Sequence, residues 1–241
     1  MSKERIDKIL AGSTTLSRKE VKEMLRKKRI AVNGALITDG GYKVDIEKDE
    51  ITVDGTVFTV KTHIYLMLNK PAGIVSASRA ENEKTVVDLV PPQFQRNGLF
   101  PAGRLDKDTT GFVLITDDGE FAHRILSPKN HIQKTYTVGL ETPITAEDVA
   151  IFQAGLTLRD GTKFLPACVK ILDETNRLVQ VQICEGKYHQ IKRMFLSVGN
   201  RVLSLSRTHM GALELDSELP PGGCRELREA ELQKICSPKT E

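Results

Sequence analysis

Short runs of apolar or alternating residues, most of them closed by a turn signal, recur along the chain from residue 30 to residue 185. Runs of this length fit strands better than helices. They outnumber the helical segments between them, and tight turns are frequent. Two parallel strands need a long crossover connection, and few of the connections here are long enough. The pattern predicts an α+β protein with flanking helices on a mixed but mostly antiparallel sheet, rather than a doubly wound parallel sheet.

Periodicity places the elements of the larger, C-terminal part. The strands are predicted in HIYLML, GIVSAS, GFVLIT, IQKTYTVGL and RLVQVQICEG, the helices in GEFAHRIL, TAEDVAIFQAG, YHQIKRMFLSVG and REAELQKI, and a loop in PPQFQRNG. A new unit therefore begins near residue 61, which gives two predicted domains, 1–60 and 61–241.

The N-terminal domain is predicted to be small and basic on one side. Ser17 and Glu20 stand in the register of a capping box that opens a helix, and short β-like runs ended by Asn-Gly and Asp-Gly follow. Such a charged face is either solvated or suited to phosphate contacts. The candidate phosphate-contacting residues on this helix are Arg18, Lys19, Lys22 and Arg26.

Composition narrows the class of protein. The chain has 35 Lys and Arg against 32 Asp and Glu, a slight basic excess that permits an anionic partner without requiring one. The four cysteines show no CxxC spacing, which favours reduced thiols in the cytoplasm and predicts no metal site. The charged N-terminus is unlike a signal peptide, and no membrane span or nucleotide-binding loop is expected.

Three stretches could carry chemistry. In PAGRLDKDTTGFVLITDDG, Asp106 is either a turn former or a catalytic carboxylate, and spacing alone does not separate it from Asp108. In EGKYHQIKRMF, His189 shares a helix face with Lys192 and Arg193, which is either solvated or paired with an anion. In KTY, Tyr136 is either a core residue or part of a site.

Taken together, these motifs resemble one family. GRLDKDTTGFVLITDDGEFAHRILSP, KTY and EGKYHQIKRMF, preceded by LNKPAG, are similar to the successive motifs of RNA pseudouridine synthases over residues 64 to 236. YHQIKRMF resembles the ribosomal small-subunit type (the RsuA family). Residues 3 to 60 resemble the S4 RNA-binding module.

The resemblance implies a function and roles. Uridine in ribosomal RNA, expected to be small-subunit RNA, is isomerised to pseudouridine without a cofactor or metal. Asp106 is the essential carboxylate, acting on C1′ as a nucleophile or on C2′ as a base, while Tyr136 stacks on the flipped uracil. Lys192, with Arg193 as the alternative, pairs with Asp106. The remaining RNA-contacting candidates are Arg104, which fills the gap left by the base, Arg193, His189 and Lys70.

Other functions remain open at this point. They are a non-catalytic RNA-binding or assembly protein, a hydrolase using two carboxylates, and a synthase that acts on large-subunit RNA. The expected partner is ribosomal RNA, either naked or in an assembling particle, and the expected state is a monomer.

Overall fold

The computed structural model of this protein describes residues 3–237, which form two compact units. The first unit contains the chain up to residue 64 together with residues 91–99, and the second contains residues 65–90 and the chain from residue 100 onward. Residues 91–99, expected as a loop of the larger domain, join the first unit because Arg96 is buried there. Its guanidinium donates to the carbonyls of Gly12, Lys61 and Thr62.

The first unit has two helices and short antiparallel strands. The helices are α1 (Ile6–Ser13) and α2 (Arg18–Arg26), and the strands are β1 (Glu4–Arg5), β2 (Ile30–Val32), β3 (Ala35–Leu36), β4 (Lys43–Val44), β5 (Ile51–Val53) and β6 (Thr56–Val57). Strands β3, β2, β5 and β6 form one sheet in that order, and β1 pairs with β4.

Helix α2 has the predicted cap and the predicted two faces. The Ser17 hydroxyl accepts from the backbone N–H of Glu20, and the Glu20 carboxylate accepts from the N–H of Ser17. Val21 and Leu25 are fully buried in the core of this unit. The opposite face exposes the four basic side chains singled out from the sequence, Arg18, Lys19, Lys22 and Arg26.

The second unit is built on a large sheet. Its strands are β7 (Tyr65–Lys70), β8 (Phe100–Ala102), β9 (Thr110–Thr116), β10 (Lys134–Leu140), β11 (Leu156–Thr157), β12 (Lys163–Phe164), β13 (Cys168–Ile171), β14 (Leu178–Ile183), β15 (Val202–Met210), β16 (Leu213–Glu214) and β17 (Cys224–Glu226). Its helices are α3 (Gly119–Leu126), α4 (Ala146–Ala154), α5 (Gln190–Ser197) and α6 (Glu229–Cys236), with 3₁₀ turns at Val87–Leu89 and Pro128–Asn130; a third turn, Pro92–Phe94, lies in the first unit.

The strand order of this sheet is β13-β14-β10-β15-β9-β7-β17, with β8 and β16 paired at its sides. The pairing of β15 with β9 is parallel, and the other pairings in the sheet are antiparallel. The expectation of an α+β fold on a mostly antiparallel sheet is confirmed. Within residues 3–237, no helix is both long and apolar enough to cross a membrane.

Helices cover the sheet through separate apolar contacts. Phe121 of α3 and Ile235 of α6 pack in one buried cluster with Phe112 and Leu114 of β9. The Phe152 ring of α4 meets an α5 ring edge-on, with centroids 5.0 Å apart. These contacts hold α5 beside the strands, and α5 carries Lys192 and Arg193, with His189 at its N-terminal cap.

One predicted strand is absent from the structure, and one strand at the middle of the sheet was not predicted. GIVSAS is not a strand, because it forms only an isolated bridge between Val75 and Thr85 instead of joining the sheet. Strand β15 was not predicted at all, although it pairs with both β10 and β9 and lies near the middle of the sheet. In its run VLSLSRTHM only residues 203–206 alternate between apolar and polar, so the local pattern gives little sign of its central place.

The close approach of β9 to β15 requires glycine at position 111. Gly111 has φ +97°, and a Cβ atom there would lie 2.3 Å from the carbonyl oxygen of Arg207. We expect Gly111→Ala to lower the free energy of unfolding by more than about 2 kcal/mol, because backbone strain and a backbone clash add together. Gly161→Ala is the matched control, since Gly161 has φ +83° but open space around it. Equal losses in chemical denaturation would show that the clash contributes nothing.

Candidate active site

The loop between β8 and β9 carries Asp106 and is fixed by hydrogen bonds to its backbone carbonyls. The Lys70 ammonium donates to the carbonyls of Lys107 (3.1 Å) and Thr109 (2.7 Å), and the N–H of Gly73 donates to Lys107 as well. The N–H of Thr109 closes a turn onto the carbonyl of Asp106. These hydrogen bonds use backbone carbonyls of the loop, so the Asp106 carboxylate remains available to other side chains.

Two side chains from the start of α5 face that carboxylate. Lys192 Nζ lies 3.1 Å from Asp106 Oδ2, and His189 Nε2 lies 3.4 Å from Asp106 Oδ1. His189 and Lys192 are three residues apart, the spacing that puts two side chains on one helix face. His189 itself has a left-handed backbone, and its ring stacks on that of Tyr188 at 3.9 Å.

Lys192 is shared between two carboxylates. It donates to both oxygens of Asp108, at 2.6 and 2.8 Å, as well as pairing with Asp106. Partial burial alone would lower the pKa of Lys192, but these hydrogen bonds with Asp108 and Asp106 raise it above its ordinary value. The hydrogen bond from Lys192 lowers the pKa of Asp108. Asp108 therefore does more than form the turn that the sequence suggested, because it holds Lys192 in place.

Arg193 points elsewhere, although the sequence left it as an alternative partner for Asp106. Its guanidinium pairs with Asp160, donates to Thr162 and lies over the ring of Phe164. A residue one position along a helix is turned by about 100°. That rotation separates Arg193 from the face that meets Asp106.

A cavity of about 440 Å³ opens beside Asp106, and a smaller one of about 60 Å³ adjoins it. Tyr136 on β10 is 7% exposed and lines both, as does the exposed Arg104. The larger volume falls within the roughly 300–1,000 Å³ typical of small-ligand pockets. The structure thus brings Asp106, Tyr136, Lys192, His189 and Arg104 to one place.

Lys70 corrects an expectation. The sequence suggested an RNA contact, but Lys70 is 0% exposed, with its ammonium on three carbonyl oxygens including that of Pro71. A fully buried ammonium does not meet a phosphate. Lys70 instead supports the loop that carries Asp106, and burial lowers its pKa to about 8.

The lowered pKa of Lys70 predicts a pH-dependent stability. Between pH 8 and 10.5 the unfolded chain keeps the Lys70 proton that the folded chain has lost, so the free energy of unfolding rises with pH in that window. We expect Lys70→Met to reduce the slope by up to about 1.4 kcal/mol per pH unit. Urea denaturation at several pH values measures it. Exposed Lys170 is the control, and an equal change in slope for Lys170→Met would contradict the assignment.

Two buried cations of the larger cavity were missed by sequence reasoning. Lys134 and Arg207 line it together with Asp106 and Tyr136. Lys134 was within reach of the sequence, because it lies two residues before Tyr136 on the same strand face. Arg207 was not, because its strand was not predicted. Within residues 3–237, no group of three His, Cys, Asp or Glu side chains is arranged to hold a metal ion.

The arrangement defines an enzyme site. The Asp106 carboxylate is held by Lys192 beside a cavity that buried Tyr136 lines. Such a carboxylate is suited to nucleophilic or general-base catalysis on a bound group. Asp106 is 26% exposed, so a substrate can reach it from solvent.

Comparison with known proteins gives the family. Residues 64–197 match the RNA pseudouridylate synthase family, and residues 4–51 match the S4 domain. An RNA pseudouridine synthase of Bacillus subtilis (strain 168) is 45% identical over 98% of this chain and 99% of its own. Ribosomal small subunit pseudouridine synthase A of Pasteurella multocida is 40% identical, covering 95% and 97% of the two chains.

A solved structure agrees with these relatives. A crystal structure of a pseudouridylate synthase superimposes with a TM-score of 0.67 at 38% identity, covering 96% of this chain and 99% of its own. The chain therefore belongs to the RNA pseudouridine synthase family, and it is an isomerase that acts on RNA. Its N-terminal part is an S4 domain.

Proposed function

We propose that this enzyme converts a specific uridine of small-subunit ribosomal RNA to pseudouridine, with Asp106 as the essential catalytic group. The observation that carries the proposal is the Asp106 carboxylate at the mouth of a cavity, fixed by Lys192 and adjoining buried Tyr136. The choice of small-subunit RNA is supported by relatives that are named for that activity and align with nearly the whole chain.

The reaction needs the uracil to leave the RNA stack. A base inside a helix cannot reach Asp106, so the nucleotide flips into the cavity. Tyr136 stacks on the flipped base, and the exposed Arg104 at the cavity mouth occupies the gap left in the RNA. Base–aromatic stacking typically contributes about 1–3 kcal/mol.

Asp106 acts in one of two ways. It attacks C1′ as a nucleophile, or it removes the C2′ proton as a base, and both roles require the carboxylate form. Lys192 orients the carboxylate and supplies the opposite charge. The uracil then turns and rejoins the ribose through C5, so substrate and product have the same composition.

We further propose that the domain at residues 1–60 docks the RNA, while the domain at residues 61–241 performs the chemistry. Ribosomal RNA, naked or in an assembling particle, is the partner of a monomeric cytoplasmic enzyme. Pseudouridine mapping in RNA from cells with and without the protein tests the function. We expect one position of small-subunit RNA to lose its modification. An affected position in large-subunit RNA, or none, would contradict the proposal.

The exposed basic face of α2 gives a test of docking. Arg18, Lys22 and Arg26 are four residues apart and share one side of the helix. We expect replacing all three by Gln to weaken RNA binding and to make its salt dependence shallower, by up to about 2 in log–log slope, because fewer counterions are released. Fluorescence anisotropy at several salt concentrations measures both quantities.

A matched control removes the same charge elsewhere in the first unit. Lys3, Lys43 and Lys48 are exposed and lie outside α2. If their triple Gln variant weakened binding and flattened the salt slope as much as the α2 variant, net charge and not α2 would account for the effect.

A further inference from the structure

Two cations meet on one face of the sheet, inside the catalytic cavity. Tyr136 of β10 lies opposite Arg207 of β15, and Lys134 precedes Tyr136 by two residues, so all three side chains share a face. All three line the 440 Å³ cavity beside Asp106. Lys134 is 4% exposed and Arg207 is 2% exposed.

Neither cation has an anionic partner among residues 3–237. Arg207 Nε donates to the carbonyl of Phe112 at 2.7 Å, but one of its terminal nitrogens is buried without a hydrogen-bond acceptor. Glu185 lines the same cavity, yet its carboxylate is taken up by the N–H of Leu165, the Gln190 amide and the Lys187 ammonium.

Such an arrangement is costly unless a ligand compensates it. Burying a charge without a partner is strongly unfavourable. Burial, and next the charge of Arg207, lowers the pKa of Lys134 to about 8. Two unpaired cations beside the catalytic carboxylate therefore indicate that an anion is bound there during the reaction.

The anion belongs to the base and not to the RNA backbone. A phosphate remains joined to the chain on both sides, which keeps it near the surface, whereas the base is the part of a flipped nucleotide that enters a pocket. Lys134 and Arg207 are far more buried than Asp106, whose side chain is 26% exposed. The oxygens of uracil therefore reach these two buried side chains more easily than phosphate oxygens do.

The chemistry supplies that anion. When the N1–C1′ bond breaks, its electron pair leaves with N1, and the negative charge spreads onto the uracil oxygens. Asp106 meanwhile becomes neutral, either as an ester on C1′ or as an acid that holds the C2′ proton. When C5 bonds to C1′, the carboxylate is released or the proton returns to C2′. The C5 proton is then lost and N1 is protonated, so no oxidant or reductant is required.

We propose that Lys134 and Arg207 form an anion-binding cradle. The cradle stabilises the detached uracil during the interval in which the uracil is negatively charged and Asp106 is neutral. Lys192 stabilises the negative charge when it is on Asp106, and the cradle stabilises it when it is on the base. Preorganised donors of this kind lower a barrier because they are already oriented where charge develops. The proposal rests on the proposed function, since it concerns the same reaction in the same cavity.

The test compares two substrates with Lys134→Met. Fluorine on C5 withdraws electrons and makes 5-fluorouracil a better leaving anion, so RNA carrying 5-fluorouridine depends less on the cradle. Under single turnover, we expect a loss on the order of a hundredfold with uridine RNA, as for removal of one oxyanion donor. With 5-fluorouridine RNA, the rate is the consumption of intact 5-fluorouridine, measured by nucleoside chromatography. Lys134→Met should reduce this rate by a factor at least tenfold smaller than its effect on uridine RNA. Lys134→Arg keeps the cation and should restore much of the uridine rate.

Folding and binding are measured in parallel. An apolar residue in place of a buried, unpaired cation should leave the melting temperature unchanged or raised, and Lys170→Met is the exposed control. Lys134→Gln makes the same comparison if the Met variant does not fold. RNA affinity and salt slope should match those of the wild type.

Each other outcome overturns the cradle. A shallower salt slope with weaker binding would mark a phosphate contact, and equal losses on both substrates would mark a structural role. An unchanged uridine rate would show that no cation is needed there. If the wild-type protein forms no pseudouridine, the proposed function itself is wrong. If the wild type is active and the Lys134 variant is equally active, only the cradle is wrong.

Discussion

Asp106→Asn is expected to lose at least about a thousandfold in single-turnover pseudouridine formation, with the protein folded and RNA still bound. An amide keeps the size and most hydrogen bonds of the carboxylate, but it is a very poor nucleophile or base. A thousandfold loss corresponds to about 4 kcal/mol of barrier. Loss of one turn contact costs less than that, because a typical hydrogen bond contributes about 1 kcal/mol.

The neighbouring carboxylate provides the control. Asp108 is bound to Lys192 but its side chain is 74% exposed, and Asn at this position still accepts a hydrogen bond from Lys192. We expect Asp108→Asn to lose no more than about tenfold, equivalent to about 1.4 kcal/mol. An Asp106→Asn protein that kept a tenth of wild-type turnover would exclude Asp106 as the catalytic residue.

Lys192→Met is expected to lower the single-turnover rate about a hundredfold, or about 2.7 kcal/mol, with little change in RNA affinity. Removing the ammonium leaves Asp106 and Asp108 side by side without the cation they share. Breaking a fully buried pair costs roughly 3–5 kcal/mol, and this pair is partly exposed, so the effect should be smaller. Rate and affinity are measured on the same RNA.

Arg193→Met distinguishes position from charge. It removes a cation from the next residue of α5, but Arg193 is paired with Asp160 and not with Asp106. We expect less than a tenfold loss of rate. Equal, modest losses of both rate and affinity in the Lys192 and Arg193 variants would mark Lys192 as an RNA contact and remove its role at Asp106.

Local motifs predicted most of the candidate site from sequence. The GRLD stretch, KTY and the YHQIK helix supplied Asp106, Tyr136, His189 and Lys192, and the structure brings them together. Helices with clear periods and caps, such as α2, were also predictable. These features depend on residues close in sequence, where period and capping chemistry are visible.

The features that sequence reasoning missed depend on distant pairings. Arg207 enters the cavity because β15 pairs with β10 in one register, and no local pattern encodes that register. Lys70 looked like a surface cation, but carbonyls from a loop nearly forty residues away bury its ammonium. Asp108 looked like a turn former until α5 placed Lys192 against it.

In the proposed mechanism, the cations act at separate places in the site. Lys70 fixes the loop from beneath, Lys192 holds the carboxylate at the mouth, and the cradle lies where the base is expected. A negative charge that moves from Asp106 to uracil and back then meets a cation at each end of its path.

The central claim is that Asp106 isomerises uridine in small-subunit ribosomal RNA. Release of tritium from RNA labelled at C5 of uridine tests it most directly, because the hydrogen on C5 is lost when C5 bonds to ribose. We predict stoichiometric release from one site with the wild-type protein, none with Asp106→Asn, and a product nucleoside of unchanged mass. Free uracil as the product, or equal tritium release by the two proteins, would contradict the account.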